Sequence, residues 1–227
     1  MTNQEFSNEF DILYNNISSG QAPGLSEYEK SVFLTNAQDN LVLELVTGKN
    51  ALGESFEKTE ELREYLTDIV KTASLSPKED TSTIKISSKS TLYTKPTNLL
   101  VIVQESVKFA DSNCSNLNIE VVPVTHDEYS RIIKNPFRKP SKNKVLRLNV
   151  GSNLELVSEY EIDNYTIRYI SMLEPIILED LPLDEDKNPI LSIKGKSTKT
   201  ECILNPALHE AILSRAVQLA KATMGIA

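Results

Sequence analysis

The sequence predicts an α+β protein in which a helical bundle is interrupted by an inserted antiparallel β domain. Apolar residues recur at helical spacing in the first third of the chain, β-rich runs fill the middle, and helical spacing returns at the end. We therefore expect residues 1–80 and 203–227 to form the bundle, from three N-terminal helices and one C-terminal helix. Residues 81–202 form the predicted inserted β-rich domain.

The composition is that of a globular protein without a membrane span or a secretory signal. The chain has 227 residues, 40% hydrophobic and 25% charged, which is enough to bury a core. No apolar run approaches the length of a transmembrane helix, and the first residues lack a basic region followed by an apolar one. Cys114 and Cys202 lie far apart, which favours a reducing compartment such as a cytoplasm.

The first predicted helix begins with a capping box. Thr2 can accept from the amide of Glu5, whose carboxylate can accept from the amide of Thr2. We expect this helix to end near residues 18–20. Its apolar stripe comprises Phe6, Phe10, Leu13, Tyr14 and Ile17.

The second predicted helix is longer and has clearer ends. Ser26 and Glu29 form another capping box, and Gly48 is suited to a left-handed termination. Its predicted apolar row comprises Phe33, Ala37, Leu41 and Leu45, with Val42 and Val46 beside it.

A third helix is predicted from Thr59 to the Ser76–Pro77 pair. Glu60 and Glu61 in its first turn suit the helix dipole, and proline ends it. Its predicted stripe comprises Leu62, Leu66, Ile69, Val70 and Ala73.

The middle of the chain alternates and is rich in β-branched residues, which indicates strands. A short helix capped by Thr125, with Glu128 as box partner, interrupts them, and residues 151–153 and 163–164 suggest hairpin turns. Residues 181–189 form a predicted acidic loop. The predicted strands are 83–87, 99–107, 117–124, 144–150, 154–160 and 165–170.

The last helix is capped by Asn205, and Pro206 fits its first turn. Because its stripe is strongly apolar, the helix must pack on partners in the N-terminal bundle or on another subunit. We expect Ile212, Leu213, Ala216 and Val217 to pack on Phe33, Leu41 or Leu45. The full stripe comprises Leu208, Ile212, Leu213, Ala216, Val217 and Ala220.

No constellation predicts catalysis, a metal or a cofactor. His209 lacks a second histidine four residues later, since residue 213 is leucine, and His126 is followed by two acids typical of a helix start. A cysteine–histidine dyad is conceivable only from Cys114 or Cys202. Glycine-rich phosphate loops are absent. We expect a protein that is not an enzyme.

Charge is distributed unevenly along the chain. Residues 1–80 carry 15 acidic and six basic side chains, residues 81–150 carry five and 11, and residues 151–227 carry 12 and seven. This pattern disfavours a general DNA-binding protein and indicates complementarity between segments or between copies.

One basic cluster stands out, with no acid among its members and with Phe137 interleaved. It has two interpretations: a solvated loop before a strand, or a contact with a phosphate backbone or an acidic face of a neighbouring subunit. The acidity of the chain favours the neighbour over phosphate. The cluster comprises Arg131, Lys134, Arg138, Lys139, Lys142, Lys144 and Arg147.

Several blocks resemble structural proteins of crAss-like, short-tailed bacteriophages, and most of all their ring or head–tail connector proteins. The blocks are residues 27–38, 125–140, 165–170 followed by 175–178, and 205–210. They occur in the expected order and none is a catalytic motif.

The resemblance implies an adaptor-like fold and a homo-oligomeric ring of about twelve copies at the portal–tail junction. Such a ring connects head to tail and conducts double-stranded DNA without reading its sequence. The implied partners are further copies, the portal protein and other ring or tail proteins, in a virion assembled in the bacterial host cytoplasm. The acidic helical layer is expected to face the bore, where it would repel DNA phosphate.

Three alternatives remain at this point. The first is a tail-completion or minor capsid protein. The second is a small nucleic-acid-binding module that uses the basic segment 131–147, and the third is an enzyme with a dyad near His126.

Overall fold

The fold is described by a computed structural model that covers residues 1–15, 24–49, 58–78, 84–110, 119–182 and 189–225. The predicted end of the first helix, Cys114 and most of the acidic 181–189 loop lie outside the described residues. The described part contains both helices and sheets, so the α+β class is confirmed. The helices are α1 (Asn3–Asn15), α2 (Glu27–Thr47), α3 (Glu60–Leu66), α4 (His126–Ile132) and α5 (His209–Thr223), and the strands are β1 (Val70–Leu75), β2 (Ser90–Thr94), β3 (Leu99–Phe109), β4 (Glu120–Pro123), β5 (Lys144–Val150), β6 (Asn153–Val157) and β7 (Ile162–Ser171).

The chain divides into two compact units. The first, the helical unit, combines residues 1–69 with 173–227, and the second, the β unit, comprises residues 70–172. The β unit thus starts before residue 81 and ends before residue 202, whereas the predicted domain boundaries stay a prediction.

The starts of α1 and α2 form as the capping boxes predict. The Thr2 amide donates to Glu5 at 2.7 Å and the Glu5 amide donates to the Thr2 hydroxyl at 3.3 Å. Ser26 and Glu29 exchange the same pair of bonds, and Gly48 ends α2 with a left-handed φ of 73°.

Helix α5 packs against both α2 and α1. The partner expected for the last helix is therefore confirmed as a helix, while the individual side-chain pairs stay a prediction. Arg215 adds an ion pair, because its guanidinium donates to Glu44 of α2 at 2.6 Å. All six residues of the predicted α5 stripe are buried: Leu208, Ile212, Leu213, Ala216, Val217 and Ala220.

The buried face of α2 is more polar than predicted. Leu34 is fully buried, whereas Phe33 and Leu41 are only half-buried. Ser31, Thr35 and Gln38 are also buried, since each hydrogen-bonds to the backbone of residues 174–178. Residues 174–178, predicted to belong to the β domain, therefore lie against α2.

The third predicted helix is wrong beyond Leu66. A 3₁₀ turn follows at Thr67–Ile69, and Val70–Leu75 forms β1, which pairs antiparallel with β7. Helical spacing and a short alternating strand are hard to distinguish over six residues, and a strand partner about 95 residues away decides the outcome.

Two sheets form the β unit. The first has the order β1-β7-β3 and is antiparallel, and the second has the order β2-β6-β5-β4. Strands β4 and β5 are parallel, so the second sheet is mixed rather than antiparallel as predicted. Helix α4 lies in the crossover between these two strands.

Several strand assignments shift. Residues 84–87 of the predicted 83–87 strand are irregular, and β2 forms at Ser90–Thr94 instead. The expected turn at 163–164 is wrong, because both residues lie inside β7. The turn before β6 is confirmed, with Gly151 at φ 55°.

The two sheets share one core, and α4 covers the other face of the second sheet. Val145, Leu154 and Leu156 of the second sheet pack with Ile167 and Tyr165 of the first. On the opposite face of the second sheet, Leu146, Leu148 and Val157 pack with Tyr129 of α4. The α4 layer positions the basic cluster.

Candidate interaction surface

The basic cluster occupies the crossover between α4 and β5. Asn135 organises it: its side chain accepts from the Phe137 amide at 3.0 Å, and its carbonyl accepts from the amides of Arg138 and Lys139 at 3.0 and 2.9 Å. These bonds fix the turn that carries Phe137.

The middle of this crossover presents charge and an aromatic ring to solvent. Phe137 is 90% exposed, although a phenyl ring favours burial by several kcal/mol on the scale of about 25 cal/mol per Å². Five members of the predicted cluster surround it in the chain and are exposed: Arg131, Lys134, Arg138, Lys139 and Lys142. We call these five residues and Phe137 the basic–aromatic loop.

The last two members of the predicted cluster have different environments. The Arg147 side chain is about 10% exposed, and its Nε lies 2.9 Å from Glu105 of β3 while another guanidinium nitrogen donates to Asn149 at 2.8 Å. It bridges the two sheets and is not available to a phosphate. Lys144 is half-buried and lies 3.9 Å from Glu120.

Several polar side chains surround Arg147 between the two sheets. The Tyr165 hydroxyl donates to Glu105, and burial followed by the Glu105 charge raises the pKa of Tyr165. Burial raises the pKa of Tyr93 to about 12, and burial together with Arg147 lowers the pKa of Lys95. Sequence spacing alone gave no sign of this network, because its members come from four strands.

Nearby acids partly compensate the basic–aromatic loop. A hydrogen bond from Thr125, with a smaller contribution from Arg131, lowers the pKa of Asp127. The Thr125 hydroxyl does not make the predicted side-chain cap of α4. Lys139 lies 3.8 Å from Glu159, and both groups are substantially exposed, so this pair contributes little stability.

A pocket opens beside the basic–aromatic loop, with a volume of about 260 Å³. It lies between the segment that precedes β2, the end of β6 and the crossover. Tyr129, Ile133, Pro140 and Val157 supply apolar lining, and the remaining lining is polar: Ser87, Lys89, Lys139, Ser158 and Glu159.

The cysteine and histidine side chains have structural partners. The Cys202 thiol donates to Gln38 at 3.3 Å, and burial raises its pKa, which disfavours a reactive thiolate. His209 accepts from the Met1 ammonium at 2.7 Å and donates to the Leu204 carbonyl at 2.9 Å. The exposed His126 ring lies 2.9 Å from the Asn149 carbonyl.

Metal-ligating groups do not cluster in the described part of the chain. No set of three or more histidine, cysteine or acidic side chains there could hold a metal ion.

Acidic surfaces occur on two helices of the helical unit. On α1, Glu5 and Glu9 are exposed beside Ile12, which is 63% exposed, and this helix has no lysine or arginine. On α3, Glu60 and Glu61 are exposed. The sequence placed Phe6, Phe10 and Tyr14 in the α1 stripe and left Ile12 outside it, but did not indicate an outer face.

Comparison with known proteins gives the family. The model of the family described as Phage tail ring protein 3/4 matches residues 1–226. The chain belongs to this phage tail ring protein family. It is 46% identical to Ring protein 3 of Bacteroides phage crAss001 over 225 residues, which cover 97% of this chain and 95% of that protein. It is 35% identical to Ring protein 4/5 of the same phage over 229 residues, 98% of this chain and 93% of the relative.

Membership of the tail ring protein family confirms the resemblance to ring proteins of crAss-like phages. The protein is a virion structural component of a bacteriophage, in a family of ring proteins rather than enzymes. None of the helices in the described ranges is long and apolar enough to cross a membrane.

Proposed function

We propose that the protein forms a closed homo-oligomeric ring of about twelve copies at the portal–tail junction of the virion. The ring connects head to tail and conducts double-stranded DNA during packaging and ejection. Family membership over residues 1–226 is the observation that carries this proposal. Assembly takes place in the host cytoplasm, and the neighbours in the stack are the portal protein and other ring or tail proteins.

Helices α1, α2 and α5 act in this proposal as the bundle that gives each copy a rigid body. Their mutual packing and the buried stripe of α5 support that role. The N-terminal and C-terminal parts of the chain thereby meet in one body, and the β unit is inserted between them in the sequence.

The bore is lined in this proposal by acidic residues of the helical unit, so that DNA phosphate is repelled and the genome slides. The exposed acids of α3 suit this role, because Leu62 and Leu66 are buried and Glu60 and Glu61 face solvent. A virion map that shows a basic or apolar bore would contradict this assignment.

Mass photometry and negative-stain imaging of the purified chain test the ring. We expect closed particles of about twelve copies. A chain that stays monomeric at every concentration would contradict the homo-oligomeric ring and would favour a minor capsid or tail-completion role. Location is tested separately by cross-linking intact virions and identifying the portal protein among the products.

A nucleic-acid-binding role is the second candidate, because the five basic side chains of the basic–aromatic loop are exposed. It predicts tight binding of DNA by the isolated chain, with an affinity that falls steeply as salt increases. Replacement of Arg138 and Lys142 by glutamate would then abolish DNA binding and leave assembly unchanged.

A further inference from the structure

The basic–aromatic loop has the features of one half of an interface. The Phe137 amide donates to the Asn135 side chain, and the ring is 90% exposed, so the described part of the same copy leaves the ring uncovered. The adjacent pocket has apolar lining from Tyr129, Ile133 and Val157 and charged lining from Lys139 and Glu159. A partner for this surface must supply both negative charge and an exposed aliphatic side chain.

The outer face of α1 supplies both. Glu5, Glu9 and Ile12 follow at spacings of four and three residues, so they share one face of the helix, and Leu13 lies beside them at 39% exposure. Phe6, Phe10 and Tyr14 are buried on the other face. Asp11 is engaged by Lys30 of α2. The Glu5 carboxylate accepts from the Thr2 amide in the capping box and remains exposed, so Glu5 and Glu9 are the acids of that outer face.

Helix α3 is the competing acidic surface and fits less well. Its leucines, Leu62 and Leu66, are both buried, so it offers charge without an apolar contact for Phe137. DNA is also acidic, but it offers no aliphatic side chain for the apolar pocket.

We propose that the basic–aromatic loop of one copy docks on the outer face of α1 of the next copy. Ile12 enters the pocket, Phe137 packs beside Leu13, and the loop's basic side chains face Glu5 and Glu9. The two surfaces are different, so the contact is heterologous and repeats from copy to copy until a ring closes. The inference rests on the homo-oligomeric ring proposed above and assigns its interface.

Single substitutions test the apolar half of the contact. Phe137→Ala and Ile12→Ser should each raise the protein concentration needed for half-assembly by about tenfold, because each removes a central apolar anchor. Ile190→Ser is the matched control, since Ile190 is 62% exposed outside both surfaces. Circular dichroism and thermal melting check that each variant is folded.

Charge reversal tests the polar half. Arg138→Glu with Lys142→Glu should weaken assembly, and so should Glu5→Lys with Glu9→Lys, whereas the four changes together in one chain should restore it. Glu60→Lys with Glu61→Lys on α3 is the control that should assemble as the wild type does. Loss of assembly only in the α3 variant would overturn the choice of α1.

A covalent test does not depend on affinity. In a chain with Cys114→Ser and Cys202→Ser, the pair Leu13→Cys and Phe137→Cys should form disulfides between copies and give a ladder of covalent multimers on oxidation, because the proposed contact sets Phe137 beside Leu13. Either single cysteine variant should give dimers at most.

The outcomes separate this inference from the function on which it rests. If the wild type is monomeric throughout, the ring proposal fails. If the wild type forms rings and Phe137→Ala, Ile12→Ser and the charge reversals form them equally well, the ring stands and this interface is wrong. If the loop reversal removes only DNA binding, the loop is a DNA contact and the interface is again wrong.

Discussion

At the scale of single residues, Lys30 shows how a charged side chain is used inside the helical unit. Its ammonium lies 2.6 Å from Asp11 of α1 and 2.9 Å from Glu27, and it also bonds to the Ser7 hydroxyl at 3.2 Å. Burial opposes the charged form, but the bonds to Asp11 and Glu27 prevail and raise the pKa of Lys30. The bonds to Asp11 and Ser7 tie α1 to α2, and the third bond, to Glu27, lies within α2.

Replacing Lys30 by methionine should lower the free energy of unfolding by about 1–3 kcal/mol, because charged hydrogen bonds between two helices are lost. The control is Lys196→Met, since Lys196 pairs with Glu174 at 2.7 Å but both side chains are about half exposed. That change should cost about 0–1 kcal/mol. Denaturant unfolding of both variants makes the comparison, and equal losses would contradict a special role for the buried ammonium.

His209 gives a second prediction at this scale, on pH. The Met1 ammonium can only donate, so the His209 ring is neutral and accepts at Nδ1. Burial lowers the pKa of His209 below its ordinary value of 6.5. The unfolded chain therefore protonates His209 more readily than the folded chain does. The stability that the neutral His209 ring contributes is complete above pH 6.5 and is lost as the pH falls below that value.

Thermal melting from pH 7.5 to 5 should show this loss in the wild type and a flatter profile in His209→Gln. His126→Gln is the control, because His126 is exposed, and its profile should follow the wild type. An unchanged slope in His209→Gln would show that other groups carry the pH dependence.

At the scale of elements, α2 illustrates a buried face that binds backbone rather than side chains. Ser31, Thr35 and Gln38 lie at spacings of four and three residues and bond to residues 178, 176 and 174 respectively. Side chains of α2 thus supply partners for the backbone of residues 174, 176 and 178, and Ile177 between them pairs with the backbone of Thr200. The polar character of these three residues made them look solvent-facing in the sequence.

Thr35→Val tests this arrangement. Valine has the same shape but leaves the buried Ile176 amide, which donates to the Thr35 hydroxyl at 3.1 Å, without an acceptor. The free energy of unfolding should fall by about 1–3 kcal/mol. Thr47→Val on the exposed end of the same helix should change it by less than about 0.5 kcal/mol. Similar effects of the two substitutions in chemical denaturation would contradict a stabilising role for the bonds between α2 side chains and the backbone of residues 174–178.

At the scale of the whole molecule, we propose that the two compact units are domains. The chain crosses from the helical unit at residue 69 and returns at residue 173, so the helical unit is built from both ends of the chain. Each unit has its own buried core, with Leu213 fully buried in one and Leu154 in the other. Two cores in one chain are the usual basis for separate unfolding.

Calorimetry of the full chain should then show two transitions. Leu154→Ala should lower only the transition of the β unit and Leu213→Ala only that of the helical unit, each by about 2–5 kcal/mol of stability. A single transition that both substitutions lower equally would mean that the units unfold as one body.

Local sequence determined the starts of α1 and α2, the end of α2 and the apolar stripe of α5. The capping boxes at Ser26–Glu29 and Thr2–Glu5, the left-handed Gly48 and the α5 stripe all depend on contacts within a few residues. Strands β3, β5 and β7 were also predicted from local sequence, because each is one continuous β-rich run. The basic cluster was found in the same way, because its members lie close together in the sequence. The family resemblance also rested on such local blocks.

Tertiary structure decided what local chemistry leaves open. Residues 70–75 form a strand because β7 supplies hydrogen-bond partners, and residues 174–178 pack on α2 because its polar side chains bond to their backbone. Arg147 is buried rather than part of the basic surface because it pairs with Glu105 of another strand, whereas Phe137 is exposed. In each case the partner is 40 or more residues away or absent, and the free energy of such long-range contacts is not written in the spacing of neighbouring residues.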